Sequence, residues 1–369
     1  MASNFFQSIP TLPILLGAFF VSLIIALVFT PLIRNLAIEA GQYDLPGARK
    51  IHKIPTPRLG GLAIAAGFFL PIISLTLFNF DWLTDTNLDG IFIGAALMFF
   101  VGMVDDFYNL SPYIKLMGQV LAIFAAVVLG IQIVALDLPF SKLLLMRSLV
   151  TPITMIWLLG ISNAMNFIDG VDGLAGGVTV IGAVSFAVVA YFMNEPGPAM
   201  FAMLLAGSCL GFLTFNFHPA RIFMGDSGAL LCGFVLAAIA VTGVFKTLTM
   251  FLLVPVFILT VPIVDITFAT FRRISQLKSP FVADSEHLHH KLLDAGLSQT
   301  WTVIALYTIC ILGGILSTIY INRFVEYAVV MGSLVAFSAS LILLRRLFYW
   351  KDAERLDLVT SSEASEAKG

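Results

Sequence analysis

Two adjacent carboxylates, Asp105 and Asp106, close an apolar run that begins near Ile91. A charged side chain at bilayer depth costs about 2.5–3.5 kcal/mol on insertion scales. Two together also repel unless a cation or a proton lies between them. The pair is therefore either just outside the membrane or holding something positive. Adjacent carboxylates suit Mg²⁺, which takes one or two carboxylates together with phosphate oxygens and water. Asp-Asp at a helix end also occurs without any metal. Lys115 and Gln119 follow, four residues apart and so on one helix face.

Four further stretches carry chemistry. Asn163, Asn166, Asp169 and Asp172 recur every third residue among Gly170, Gly173, Gly176 and Gly177. In a helix they form one polar stripe, and the glycines allow close backbone approach. Asn216, His218 and Arg221 precede Gly225-Asp226-Ser227-Gly228. Asp226 at a helix start is either an N-cap or a metal ligand, and neighbouring N–H groups with Ser227 suit a phosphate. His287, His289 and His290 follow Glu286. They fit phosphate contact, a structural role, or zinc, although no cysteine lies on their face. The stretch Arg49–Gly61 includes Lys53, His52, a Pro-Thr-Pro corner, Arg58 and a Gly pair. It reads as an anchor to anionic lipid, or as a rigid loop with room for a ligand. Asp265 lies one or two turns from Arg272 and Arg273 and is open to an intrahelical ion pair.

The elements that must position these residues are membrane helices. The chain has 369 residues, 59% hydrophobic and only 11% charged, against about 25% charged in soluble domains. Apolar runs long enough to span number eleven: 12–33, 60–79, 90–104, 115–133, 150–167, 174–193, 199–216, 228–245, 249–271, 301–321 and 327–347. The third is short, and 138–149 is expected to be interfacial. With the N-terminus outside and the C-terminus inside, only Lys142, Arg147, Lys246 and Arg323 fall in outer loops. The other 16 of the 20 Lys and Arg lie inside, as the positive-inside rule requires. Asp105, Asp106, Asp169, Asp172, Asp226 and Asp265 then collect at inner helix ends.

This pattern gives an all-α polytopic membrane protein, with a spanning domain over 1–350 and a polar, disordered tail over 351–369. No basic block suits nucleic acid. Cys209, Cys232 and Cys310 lie in apolar runs without CxxC spacing and read as packing residues. The first run lacks a signal-peptide pattern. A cation-coupled transporter would place its charges at the midplane and across repeats, which are not found. A lipid-binding scaffold would keep the basic loop but not need the Asn/Asp pattern.

Together the motifs PTPRLGG at 55–61, VDD at 104–106, NFIDGVDGLAGG at 166–177, FMGDSG at 223–228 and HLHH at 287–290 resemble the polyprenyl-phosphate N-acetylhexosamine-1-phosphate transferases over about residues 30–300. The form HLHHKLLDAGLS at 287–298 resembles the WecA/TagO-like branch, which primes surface polysaccharide and teichoic acid synthesis. The alternative is the MraY-type phospho-N-acetylmuramoyl-pentapeptide transferase. The resemblance implies transfer of a sugar 1-phosphate from a UDP-N-acetylhexosamine to undecaprenyl phosphate at the cytoplasmic membrane face, with Mg²⁺ or Mn²⁺. It implies Asp226 as the first metal ligand with Asp105 and Asp106 near it. Asp169, Asp172, Asn163, Asn166 and Asn216 are placed on the nucleotide-sugar side. Lys53, Arg58, Lys115, His287, His289 and His290 are expected on phosphates. Both direct attack with Asp105 as base and a covalent Asp intermediate stay open. A homodimer is a further expectation.

Overall fold

Proline and glycine punctuate a chain that is otherwise helical. The structure is a computed structural model and describes residues 12–44, 55–77, 86–133, 137–138, 141–142, 147–242, 254–275 and 288–320. In chain order the helices are α1 (Leu12–Glu39), α2 (Gly61–Leu77), α3 (Thr86–Tyr108), α4 (Pro112–Val128), α5 (Arg147–Ile168), α6 (Leu174–Phe192), α7 (Pro196–Asn216), α8 (Gly225–Val241), α9 (Thr260–Ser275), α10 (Leu288–Asp294) and α11 (Gln299–Tyr320). Two short antiparallel pairs join them: β1 (Tyr43–Asp44) with β2 (Thr56–Pro57), and β3 (Asp137–Leu138) with β4 (Ser141–Lys142).

Local chemistry sets several boundaries. Ser111 caps α4 by accepting from Ile114 N–H, with Pro112 at the first helical position. Pro196 opens α7 in the same way. A helical stretch at 254–258 stops at Leu259 before α9 begins. Pro262 supplies no N–H to bond back to that stretch.

Each of the first ten apolar runs meets a helix, and the run 327–347 lies outside the described residues. One expectation changes. The third run is not short: α3 has 23 residues, about 35 Å of helix at 1.5 Å per residue. Its polar ends, Thr86–Asp89 and Asp105–Asp106, hid its length. The stretch expected to be interfacial contains the β3–β4 pair and the start of α5.

Among the described residues, six helical segments are long and apolar enough to cross a membrane: Leu12–Glu39, Leu88–Tyr108, Leu149–Ile168, Leu174–Phe192, Pro196–Asn216 and Gln299–Thr318. The chain is a multi-pass helical membrane protein. In α6 and α7 89% of the most apolar window is buried, against 28% in α1. The first two are therefore central and the last peripheral. α7 packs against both α1 and α6, and α8 against α3 and α5. A Cβ on Gly207 of α7 would lie 2.2 Å from Phe19 O of α1. Such close backbone approach is how helices pack where lipid is as apolar as leucine. A buried polar contact also joins α5 to α8: Trp157 Nε1–H donates to Ala237 O at 3.1 Å. Cys209 and Cys232 are free and buried, with sulfurs 3.4 Å apart across α7 and α8, and Cys310 is also buried. Packing, as expected, is their role.

Candidate active site

Antiparallel succession places the C-terminal ends of α1, α3, α5 and α7 beside the N-terminal ends of α2, α4, α6 and α8. Every polar motif of the sequence that the structure describes lies at this one end of the bundle.

At its centre three carboxylates share two cations. Arg58, on the link from β2 to α2, places NH2 3.0 Å from Asp106 Oδ1 and 3.0 Å from Asp226 Oδ1. Lys115, on the first turn of α4, places Nζ 3.2 Å from Asp105 Oδ2 and pairs with Asp226 Oδ2. The same ammonium donates to Asn166 Oδ1 at 3.2 Å. Four helices and one loop thus meet through Arg58, Asp105, Asp106, Lys115, Asn166 and Asp226.

The loop carrying Arg58 is held by main chain. Phe223 N–H donates to Pro57 O, and Gly60 N–H and Gly61 N–H donate to Phe223 O and Met224 O. The Gly pair was expected to leave room for a ligand. Instead a Cβ on Gly61 would lie 2.3 Å from Ser227 Oγ and Gly228 N. The space is filled by the start of α8.

Asp106 meets that same start. Its Oδ1 accepts from Asp226 N–H at 2.8 Å, and its Oδ2 from Ser227 N–H at 3.0 Å and Ser227 Oγ at 2.6 Å. Asp226 is therefore not the cap of α8. The N–H groups and hydroxyl expected to meet a phosphate are already taken by Asp106. Asp105 Oδ1 accepts from Leu110 N–H at 2.8 Å.

The Asn/Asp pattern does not form one helical stripe. α5 ends at Ile168, so Asn163 and Asn166 are helical while Asp169 and Asp172 lie in the following turn. Asn163 exchanges amide hydrogen bonds with Gln119 of α4, at 2.8 and 3.3 Å. Asp172 turns away to His218, whose Nδ1 lies 2.8 Å from Asp172 Oδ2, and accepts from Ala220 N–H at 3.1 Å. Asn216 is buried; it accepts from Gly173 N–H and donates to Ile222 O. It fixes the turn that carries Asp169. Asp169 is half-buried by exposed area, and burial pushes its carboxyl well above the usual carboxylate range. The charges of Asp226 and Asp106 push the same way, against Arg58.

His289 is buried and its Nε2 lies near Gly170, where a Cβ would approach to 3.3 Å. His290 stacks beside it with ring centroids 4.4 Å apart. Asp265 accepts from Leu288 N–H at 2.6 Å and so caps α10, the helix bearing both histidines. Lys53 and His287 lie outside the described residues. Spacing gave no sign of the Asp172–His218 pair, the Asp265 cap or Tyr307, whose hydroxyl donates to Gly173 O.

Comparison with known proteins agrees with this geometry. The family model described as "Glycosyl transferase family 4" matches residues 88–244, the stretch from α3 to just beyond α8. A Bacillus subtilis (strain 168) protein named "Probable undecaprenyl-phosphate N-acetylglucosaminyl 1-phosphate transferase" is 37% identical over 294 residues, covering 79% of this chain and 81% of its own. The chain belongs to glycosyl transferase family 4. A Mycobacterium tuberculosis (strain CDC 1551 / Oshkosh) relative, "Decaprenyl-phosphate N-acetylglucosaminephosphotransferase", is 35% identical over 345 residues, 85% of each chain. A "Phospho-N-acetylmuramoyl-pentapeptide-transferase" of Halalkalibacterium halodurans (strain ATCC BAA-125 / DSM 18197 / FERM 7344 / JCM 9153 / C-125) is 31% identical over 320 residues, 82% of this chain and 95% of its own. The family member described here is thus a phosphotransferase-type enzyme in a membrane.

Proposed function

We propose that this chain transfers N-acetylglucosamine 1-phosphate from UDP-N-acetylglucosamine to undecaprenyl phosphate, releasing UMP, at the cytoplasmic face of the bacterial plasma membrane. The observation that carries this reading is the cluster of Asp105, Asp106 and Asp226 with Arg58 and Lys115 at one end of a membrane bundle. A water-soluble nucleotide sugar and a lipid phosphate meet only at such an interface. The transferred groups named for the more similar relatives favour N-acetylglucosamine over the muramoyl-pentapeptide. The charge split supports eleven spans with the N-terminus outside.

The donor set fits a divalent ion. Among the described residues no three or more His, Cys, Asp or Glu side chains are arranged to hold a metal, because Arg58 and Lys115 stand between the carboxylates. Mg²⁺, however, needs only one or two carboxylates and prefers oxygen. Asp226 would hold it, with Asp105 beside it. A bound Mg²⁺ or Mn²⁺ supplies charge neutralisation on the diphosphate.

The side chains do the rest. An oxygen of the lipid phosphate attacks the sugar-bound phosphorus, and the bond to the uridylyl oxygen breaks to release UMP. Such transfer is mainly positioning and electrostatics. Arg58 and Lys115 turn from the carboxylates toward the phosphates. Asp105 accepts a proton from the lipid phosphate. Asp169, Asn163 and Asn166 line the nucleotide-sugar side, with His289 and His290 over the 169–173 turn, while Asp172 is held by His218 and stiffens that turn.

The test is UMP release by purified protein with undecaprenyl phosphate, Mg²⁺ and a set of UDP-sugars. UDP-N-acetylglucosamine is expected to be turned over fastest. No release with any sugar would remove the enzymatic reading, and a preference for the muramoyl-pentapeptide donor would move the chain to the other branch.

A further inference from the structure

We propose that Asp106 is a positioning residue: its carboxylate caps the first turn of α8 from the neighbouring helix α3, and so holds Asp226 against Asp105 and Lys115 without itself touching metal or substrate.

The first ground is saturation. A carboxylate offers about four lone-pair sites. Those of Asp106 face four donors: Asp226 N–H, Ser227 N–H, Ser227 O–H and Arg58. The second is access. The Asp106 side chain is 0% exposed, whereas those of Asp226 and Asp105 are 17% and 10% exposed. A diphosphate can reach the latter two, not the former.

The third ground is the helix start itself. The N-cap residue of α8, Met224, makes no side-chain cap hydrogen bond. The first N–H groups of a helix need an acceptor, and its positive end favours an anion. Asp106 supplies both from another element. Backbone shape admits it. Gly225 has φ +72°, and a Cβ there would lie 2.6 Å from Asp106 Oδ2. One turn before Asp106, a Cβ on Gly102 would lie 2.5 Å from Asp226 O and Ser227 N. α3 therefore lies flush on the turn that carries Asp226, and the carboxylate joins them.

The two adjacent aspartates thus have different tasks. Asp105 opens to the cluster around Lys115, and Asp106 faces the interior of the α3–α8 joint. The consequence for metal binding rests on Asp226 being a ligand, as read above; the cap does not.

The experiment uses the full chain in detergent and compares Asp106→Asn, Ser227→Ala, their double variant and Asp226→Asn. Mn²⁺ binding without substrate is read by electron paramagnetic resonance, beside kcat, both KM values and the thermal midpoint. Asp106→Asn is expected to keep one Mn²⁺ site with Kd within about tenfold of wild type, while kcat falls about 10²-fold and both KM values stay within about threefold. Ser227→Ala is expected to lower kcat less, and the double variant to lose no more than Asp106→Asn alone, because both remove one interaction. Loss of the Mn²⁺ site in Asp106→Asn, as in Asp226→Asn, would make Asp106 a ligand and overturn the proposal. So would an unchanged kcat, or a fall that matches only the unfolded fraction. If Asp106→Asn does not fold, Ser227→Ala decides: an unchanged kcat sinks the cap. If Asp226→Asn keeps full Mn²⁺ binding, the metal reading of Asp226 fails, and the Asp106–Ser227 coupling still judges the cap.

Discussion

At the scale of single residues, the site is a charge balance among side chains of opposite sign. Arg58 joins Asp106 and Asp226 through one nitrogen at 3.0 Å each. Arg58→Ala is expected to lower kcat/KM by about 10²–10³-fold, the scale for losing a fixed donor at an active site. Arg58→Lys should restore it only in part, since the one nitrogen that joins Asp106 and Asp226 sits at the end of a longer side chain than lysine's; steady-state UMP release measures both. Asp169 gives a pH signature. Its folded-state carboxyl titrates well above the usual range, with burial as the main cause. The native state then holds a proton that the unfolded chain has released. Stability is therefore full below the unfolded pKa and falls as pH rises toward the folded value. In metal-free protein, Asp169→Asn should raise the apparent thermal midpoint at neutral pH, and the gain should vanish in acid. A midpoint difference independent of pH would contradict this.

At the scale of elements, the joint between α3 and α8 is a close backbone-to-backbone contact. Gly102→Ala puts a methyl 2.5 Å from main-chain atoms of Asp226 and Ser227, which cannot yield as a side-chain tip does. Overpacking of this kind costs about 1–3 kcal/mol. Activity is expected to fall further than stability, since the strained contact carries Asp226. Gly160 in α5 has nothing within 4 Å of an added Cβ. Gly160→Ala should be neutral or stabilising by up to about 1 kcal/mol through helix propensity. Thermal unfolding and UMP release on the two variants separate packing from propensity. These joints also mark where the sequence could be read. Apolar runs located ten helices, because lipid demands continuous hydrophobicity. Lys115 and Gln119 were legible as one face, and they do reach α5 and α8 together. The break of the Asn/Asp stripe at Ile168 was not, because a three-residue period does not say where a helix stops. Nor was the turn of Asp172 toward His218, since that pairing spans 46 positions and depends on how α7 meets α6. The trans cap by Asp106 was hidden for the same reason: its partner lies 120 positions away.

At the scale of the molecule, the site joins α8, buried at every residue but Asp226, to α3 and α5, which are 44% and 33% buried in their most apolar windows. α6 and α7 are buried over 89% of their most apolar windows, whereas α1, with 28 residues, is 28% buried in its own. The apolar run of α1, 12–33, is about 33 Å long at 1.5 Å per residue, against about 30 Å of hydrocarbon in an average bilayer and less in a thin one. A span longer than the bilayer tilts, kinks or thickens the lipid around it, at fractions of a kcal/mol per Å. That adjustment falls on the periphery. The central helices α6 and α7 meet other helices, not acyl chains, along their length. Reconstitution in thin and thick bilayers is accordingly expected to change turnover by no more than about twofold, with the tilt of α1 changing instead; site-directed spin labels on the lipid face of α1, at Val21 and Ile24, would report it. A steep dependence of turnover on chain length would show that mismatch reaches the site. The buried centre, α6 and α7 with α8 beside them, thus acts as a mechanical buffer between Asp226 and an outer helix such as α1, which follows the thickness of whichever membrane holds it.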